Sequence, residues 1–393
     1  MSKTNLPGTA AAVAGDMMQG QSHFIHRPVL KGSDVVTVEI GPQVDFVYIV
    51  RKDGVFTVSP LAHKMSVGYG LKEVDVKQAL LEEYDRFFNE LTHIFYWGFS
   101  QKGNFELHLY EPGELDTAII QRANNIPIVS LDPLICHGVY SLTVSRAYYL
   151  GGKKDTGQIA RPGYASLNAQ AQQIAERMQG QPVCVVEDDI FSGGSITTSL
   201  DKLTDCGVTI QKIIPGIQIG SPHKITQSGL AIDPVVKYKT IDGADIFDKV
   251  DLGDPRDYLL GASGLVVHLP QRAYGRAPYI LPFVSTSARS SVPQQAERGF
   301  ALKVLEANWN FFHGVEGKLG QPLLLGHMDE HFTNMMHQLY GFDYKVPMRQ
   351  IVTWAIDNID SIWEITQHLG ELQGQLDTML LRAKQVTGNI SPP

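Results

Sequence analysis

The sequence predicts an α/β protein: a parallel sheet flanked by helices, with a β-containing N-terminal extension and a mainly helical C-terminal extension. Three observations carry this. Between residues 167 and 219, helical and short apolar segments alternate, the order that builds parallel sheets. Between residues 35 and 50, β-branched and aromatic residues dominate, as strands require. Beyond residue 346, apolar residues recur at steps of three and four, the spacing of one helix face.

Residues 1–30 are rich in Gly, Ala, Ser and Gln without periodicity and read as a flexible arm. A β-rich extension, residues 31–74, carries strands at 35–40 and 46–50, separated by a stretch opening on Gly41-Pro42-Gln43. The core is assigned to residues 75–270. Residues 74–92 read as an amphipathic helix because Val76, Leu80, Tyr84, Phe87, Phe88 and Leu91 share one face. A compact apolar stretch follows, 93–99. Pro112-Gly113 marks a break before a short helix at 114–123.

Residues 126–130 and 139–149 read as strands, and 151–166 as a loop of Gly, Lys, Arg and Pro with no visible period. A helix at 167–178 precedes four apolar residues, Val183, Cys184, Val185 and Val186, that suit a strand buried on both faces. A helix at 195–206 stops at Gly207, and 208–219 offers another buried strand. In the C-terminal extension, residues 271–393, Pro293 stands where the first turn of a helix to Phe312 would start. The last helical region, 346–387, carries the seam Ile362, Ile365, Leu369, Leu372, Leu376, Met379 and Ala383. Such a seam packs on the protein's own core or between subunits; Gly370 and Gly374 weaken a free-standing coil and favour the former.

Composition removes several function classes. The formal net charge is -8, and no Lys/Arg cluster larger than Lys153-Lys154 occurs, which argues against sequence-independent nucleic-acid binding. Three cysteines, Cys136, Cys184 and Cys206, are odd in number and widely spaced, which suits neither a disulfide framework nor a Cys-based zinc site. No apolar run approaches the roughly 20 residues of a membrane span, and the Ala-rich run at 9–14 is too weak for a signal-peptide core. A soluble, cytoplasmic protein is expected.

The informative segment is residues 183–195, VCVVEDDIFSGGS. A buried strand ends in the acids Glu187 and Asp188, a short turn follows, and Ser192-Gly193-Gly194-Ser195 opens a helix. Ligands of open parallel sheets bind beyond the carboxyl ends of the strands. The glycines let backbone N–H groups approach an anion closely, and the new helix points its positive end at the same place. Ser192, Ser195 and Thr197 add hydroxyl donors. Acids one turn away would repel the phosphate but accept hydrogen bonds from sugar hydroxyls. A ligand with a phosphate at one end and a diol nearby satisfies both halves. The alternative is a buried strand ending in a solvated acidic turn.

This segment resembles the signature of type I phosphoribosyltransferases, which bind phosphoribosyl pyrophosphate (PRPP): four apolar residues, an acidic pair, three residues, then Ser/Thr-Gly-x-Ser/Thr. The resemblance implies that Glu187 and Asp188 bind the ribose 2- and 3-hydroxyls and that Ser192, Gly193, Gly194 and Ser195 hold the 5-phosphate. It also implies Mg2+ bridging pyrophosphate and ribose, with Glu187 and Asp188 on the metal side. Two positions depart from the pattern: Asp189 is acidic where the family is usually apolar, and Phe191 replaces an acid found in some purine-specific members. The family carries a mobile loop shortly before this strand, which closes over pyrophosphate; residues 151–166 occupy that place. Lys153, Lys154 and Arg161 would then neutralise the leaving group, with Ser145-Arg146 assisting, unless the loop is merely solvated. Asp188, Asp189, Lys153 and Arg161 are the catalytic candidates, Asp189 being the first to test for proton transfer. Arg146, Lys154 and Thr197 join the substrate-binding set. Gln101-Lys102-Gly103 is one candidate for an earlier pyrophosphate loop.

The resulting expectation is transfer of a 5-phosphoribosyl group from PRPP to a small-molecule, nitrogen acceptor by a homodimer, with no nucleic acid and no membrane. The competing readings are a non-catalytic PRPP- or nucleotide-sensing regulator on the same fold, and a phosphatase-like hydrolase using Glu187-Asp188-Asp189. Other signals are set aside. His327, Asp329, Glu330 and His331 form HxDEH rather than HExxH and read as a polar helix start. The acids Asp242, Asp245, Asp248, Asp251, Asp254 and Asp257 recur every three residues and read as a charged turn region. The stretch Tyr274-Gly275-Arg276-Ala277-Pro278 through Arg289 reads as a surface loop, or as part of an acceptor pocket or subunit contact.

Overall fold

The computed structural model describes residues 25–30, 34–133, 135, 140–226, 229–270 and 273–386. The flexible arm expected over residues 1–30 lies outside them up to residue 24, as do Cys136, Val139, Thr387 and the side chain of Ala383.

Parallel strands form two of three sheets. The largest runs β2 (Val36–Ile40), β12 (Val236–Thr240), β10 (Ile210–Ile219), β9 (Val183–Ile190), β5 (Ile128–Ser130), β6 (Tyr140–Ser141), with β11 (Ala231–Ile232) beside β10. The second runs β1 (Ile25–His26), β4 (Phe105–Tyr110), β3 (Phe46–Arg51), β13 (Val250–Gly253). A third, mixed sheet runs β15 (Tyr274–Ala277), β14 (Leu265–His268), β7 (Val144–Tyr148), β8 (Asp155–Ala160). Helices α1 (Gly54–Tyr69), α2 (Glu73–Phe99), α3 (Pro112–Ala123), α4 (Leu167–Met178) and α5 (Gly194–Asp205) connect the strands. Two single turns follow, α6 (His223–Thr226) and α7 (Ile246–Lys249), and then α8 (Glu297–Leu319), α9 (Glu330–Tyr340), α10 (Met348–Asp357) and α11 (Ile359–Val386). The expected α/β architecture with a helical C-terminal region is what forms.

Why the strands read as continuous apolar runs is explained by their two buried faces. In β3, Phe46, Tyr48 and Val50 join a core shared with α1, α2, α8 and α10, while Val47 and Ile49 join a second core shared with α3 and β10. In β9, Cys184 and Val186 face that second core, and Val183 and Val185 face a third, closed by α4 and α5. Successive side chains of a strand point to opposite faces, so burial on both sides removes any alternation. Among the described residues, no helix is long and apolar enough to cross a membrane.

The structure corrects several local expectations. Residues 54–69, placed in a β-rich extension, form α1, which buries Val58, Leu61, Ala62 and Met65 despite Pro60 inside it. The extension is not set apart: β2 completes the large sheet against β12, and β3 pairs with β13. Residues 155–160, placed in a loop, form β8, antiparallel to β7. Its residues are exposed or half-buried, so no alternation marks it; Gly151 and Gly152, at φ of 83° and 73°, make the turn. The strand expected at 139–149 divides into β6 and β7, and the last helical region divides at Asn358. Along α11, Ile362 is buried while Ile365, Leu372, Leu376 and Met379 remain exposed.

Candidate functional site

Strand β9, expected to end in Glu187 and Asp188, instead continues to Ile190: Glu187 pairs with Pro215 of β10, Asp189 with Ile217 and Ile190 with Gln218. Asp188 meets Gly216, where a side chain would come within 2.8 Å of the Asp188 carbonyl oxygen. This close approach requires glycine. The turn after Ile190 leads into α5, whose N-cap is Gly193 at φ 79°. A Cβ there would also lie 2.8 Å from Ile225. No side chain caps this helix, so its first N–H groups are left for another acceptor.

A cleft of about 550 Å³ sits over this turn, lined by Asp132, Ser145, Arg146, Gln158, Arg161, Glu187, Asp188, Asp189 and the run Ser192, Gly193, Gly194, Ser195. It adjoins a second cleft of about 820 Å³ that shares Arg146, Arg161, Glu187, Asp188 and Asp189 and extends to Arg276, Arg289 and Asp329. Acid pair, glycine loop, Arg146 and Arg161 therefore border one continuous space. Thr197 is turned inward instead: its hydroxyl donates to the Gly193 carbonyl at 2.7 Å. Lys153 and Lys154 line a different cleft, beside α11. The Lys153 ammonium lies 5.5 Å from the Trp363 ring centre and that of Lys154 lies 5.2 Å from Tyr149. The turn at Gly151-Gly152 carries both lysines to the far end of the β7–β8 hairpin, whereas Arg161, at its other end, returns to the site. Lys102 packs over the Phe46 ring, 3.9 Å from its centre, and lines neither cleft.

Charge at the strand end is set by residues that no local motif marks. Arg51, the last residue of β3, donates from Nε and Nη2 to Asp254 at 2.8 and 3.0 Å and from Nη1 to Asp188. Arg256 binds the same Asp254 at 2.9 Å and Asp53 at 3.0 Å. Asp254 is thus part of a buried network rather than a solvated turn. Burial alone would raise the Asp188 pKa; Arg51 overrides it and holds this carboxyl well below the usual carboxylate range. Burial and the charge of Asp188 push Glu187 and Asp189 well above it. Asp132, just after β5, completes a group with Glu187 and Asp188 whose carboxylate oxygens lie within 4.8 Å of one another. The set is all oxygen, the donor type that hard divalent cations select. His327 and His331 form no such group: His327 Nδ1 accepts the Leu324 N–H at 3.1 Å, and Asp329 caps α9.

The sequence signal for these additions is thin. Asp132 follows a predicted strand, a position where ligands bind in parallel sheets, and Arg51 follows another. Neither lies near residues 183–195 in the chain.

No protein-family profile matches the chain. Over 143 residues, 36% of this chain and 67% of the relative, it is 28% identical to the hypoxanthine/guanine phosphoribosyltransferase of Methanocaldococcus sp. (strain FS406-22). Among solved structures, the orotate phosphoribosyltransferase of Mycobacterium tuberculosis H37Rv in complex with inorganic phosphate is 15% identical at a TM-score of 0.21, covering 32% of this chain and 69% of that one. The orotate phosphoribosyltransferase of Aeropyrum pernix is 15% identical at 0.16, covering 29% of this chain and 60% of that one. The relationship rests on the sequence. Over about a third of its length, this chain is a distant homologue of the type I phosphoribosyltransferases.

Proposed function

We propose that this protein is a phosphoribosyltransferase that takes the 5-phosphoribosyl group from PRPP and passes it to a nitrogen acceptor. The observation that carries the reading is the shared cleft: Glu187 and Asp188 at the end of β9 and Ser192, Gly193, Gly194 and Ser195 at the start of α5 line one space. Phosphate in the turn would receive the open N–H groups of α5 and the serine hydroxyls. The diol, one turn away, would face the acid pair.

In the transfer, the bond from ribose C1 to the pyrophosphate oxygen breaks and its electron pair leaves with pyrophosphate. A bond from C1 to the acceptor nitrogen forms, and the acceptor nitrogen loses its proton. Arg161 and Arg146 border both clefts and would stabilise the departing charge. Asp189 is the proposed proton acceptor. Phosphoribosyltransferases typically use Mg2+, and the oxygen donors of Asp132, Glu187 and Asp188 suit it. That ion would supply charge neutralisation at the pyrophosphate. Arg51 positions Asp188 and keeps it ionised. Lys153 and Lys154, facing another cleft, are given no part.

The test is pyrophosphate release on incubation with PRPP, Mg2+ and a panel of nitrogen heterocycles. Release that requires a heterocycle and disappears in Asp188→Asn supports the reading. PRPP binding without release for every acceptor favours a sensing role, and phosphate release from simple phosphomonoesters favours a hydrolase.

A further inference from the structure

The larger cleft holds a cation, Arg276, that the phosphoribosyl reading does not employ, beside Arg161, which borders both clefts. Arg276, on β15, is 14% exposed at its side chain, and its nearest acid oxygen, on Asp329, lies 3.8 Å from Nε. That Nε is buried without a hydrogen-bond partner, as is Nε of Arg161. Asp329 accepts the N–H groups of His331 and Phe332 through Oδ1 at 2.9 and 3.3 Å, while its Oδ2 faces Arg276 beyond hydrogen-bond distance. Burial lowers the Arg161 pKa, and the charge of Arg276 lowers it further, so the two guanidiniums repel. Asp132 favours the Arg161 charge but belongs to the carboxylate group offered to the cation. Two like-charged forks with unmade hydrogen bonds in a cleft are costly unless an anion joins them.

Position separates Arg276 from the phosphoribosyl end. Arg161 borders both clefts, whereas Arg276 lines only the larger one, together with Asp329 and Lys64. We propose that Arg276, with Arg161, binds a carboxylate on the acceptor, so that the acceptor is an acidic nitrogen compound rather than a neutral base. Arg276 has Asp329 at 3.8 Å and Arg161 is favoured by Asp132, yet each guanidinium keeps an unmet Nε donor, which a bridging monoanion would engage. Planar forks match a carboxylate in two parallel hydrogen bonds. The inference rests on the phosphoribosyltransferase reading and names the substrate class of its second half-site.

The test uses the full-length protein and calorimetric binding of four probes: PRPP, inorganic pyrophosphate, 4-imidazolecarboxylate and imidazole. In the wild type the carboxylate is expected to bind roughly ten-fold more tightly than imidazole, the scale of one charge-assisted pair. Arg276→Gln should reduce that preference to within about two-fold while changing pyrophosphate and PRPP affinity by less than about two-fold. Arg276→Lys, which keeps the charge but loses the fork, should retain part of it. The proposal is overturned if the wild type does not prefer the carboxylate, or if Arg276→Gln weakens pyrophosphate as much as the carboxylate. The second result would make the anion the leaving group. Failure of PRPP to bind the wild type strikes the phosphoribosyl reading instead, and is read separately from the carboxylate preference.

Discussion

Replacing Arg51 with Met removes the charge that holds Asp188 and leaves an aliphatic side chain of similar reach. Arg51 is 5% exposed at its side chain, and Asp188 is 13% exposed. Asp254 keeps Arg256 at 2.9 Å, so the carboxylate left without its main counter-charge is Asp188. Breaking one side of a buried pair costs about 3–5 kcal/mol, because the remaining charge stays desolvated. The pH dependence follows from the sign of the shift. In the wild type Arg51 depresses the Asp188 pKa, so its contribution is complete above the ordinary carboxylate range and is lost only as pH falls through the lowered value. The variant lacks that contribution and burial raises the same carboxyl. The stability gap is therefore greatest where the variant's carboxyl is ionised and narrows as pH falls through that raised carboxyl's titration, above the ordinary carboxylate range. Urea unfolding of both proteins from pH 4 to pH 8 reads the gap. A loss below about 1 kcal/mol, or a gap independent of pH, refutes the assignment of Arg51 as the group that fixes Asp188.

Four further outcomes are expected. Gly193→Val places a side chain at φ 79° and 2.8 Å from Ile225; it should cost about 2–4 kcal/mol and remove PRPP binding, as unfolding and calorimetry will show. Asp132→Asn removes one of three clustered carboxylates and should raise the Mg2+ concentration for half-maximal activity by roughly ten-fold or more. Lys153→Ala and Lys154→Ala should change kcat/KM by less than about two-fold, within the range of surface substitutions, because both lysines face the α11 cleft. Burial, reinforced by Asp254, pushes the Asp257 pKa up to about 6. A raised carboxyl stabilises the fold least once ionised, so the wild type should lose stability as pH rises from about 4 through about 6, and Asp257→Asn should reduce that loss by on the order of 2 kcal/mol.

What the sequence made legible is what local order encodes. The apolar run Val183, Cys184, Val185, Val186, the acids after it and the glycines before α5 sit within one strand-turn-helix unit, and each has a local physical reason. The alternation of α4, β9, α5 and β10 is likewise written in spacing. Arg51, Asp132 and Asp254 are different: they reach the site from β3, from the end of β5 and from beyond β13, brought there by sheet pairing. A lone arginine after a strand has no local signature. Helix α1 was obscured by Pro60, Gly54 and Gly68, which count against a helix until tertiary packing of Val58, Leu61 and Met65 outweighs them. Strand β8 lies on an edge of its sheet, where neither face is buried enough to impose alternation. Lys153 and Lys154 share a segment with Arg161, and only the hairpin turn reveals that they point elsewhere.

Calorimetric titration of PRPP with Mg2+ into the intact chain, its Asp188→Asn variant and its Lys153→Ala variant tests the central claim most directly. Saturable binding is predicted for the wild type and Lys153→Ala, and none for Asp188→Asn. PRPP binding that survives loss of Asp188, or a wild type that gives no binding, contradicts the placement of the ribose phosphate at the end of β9.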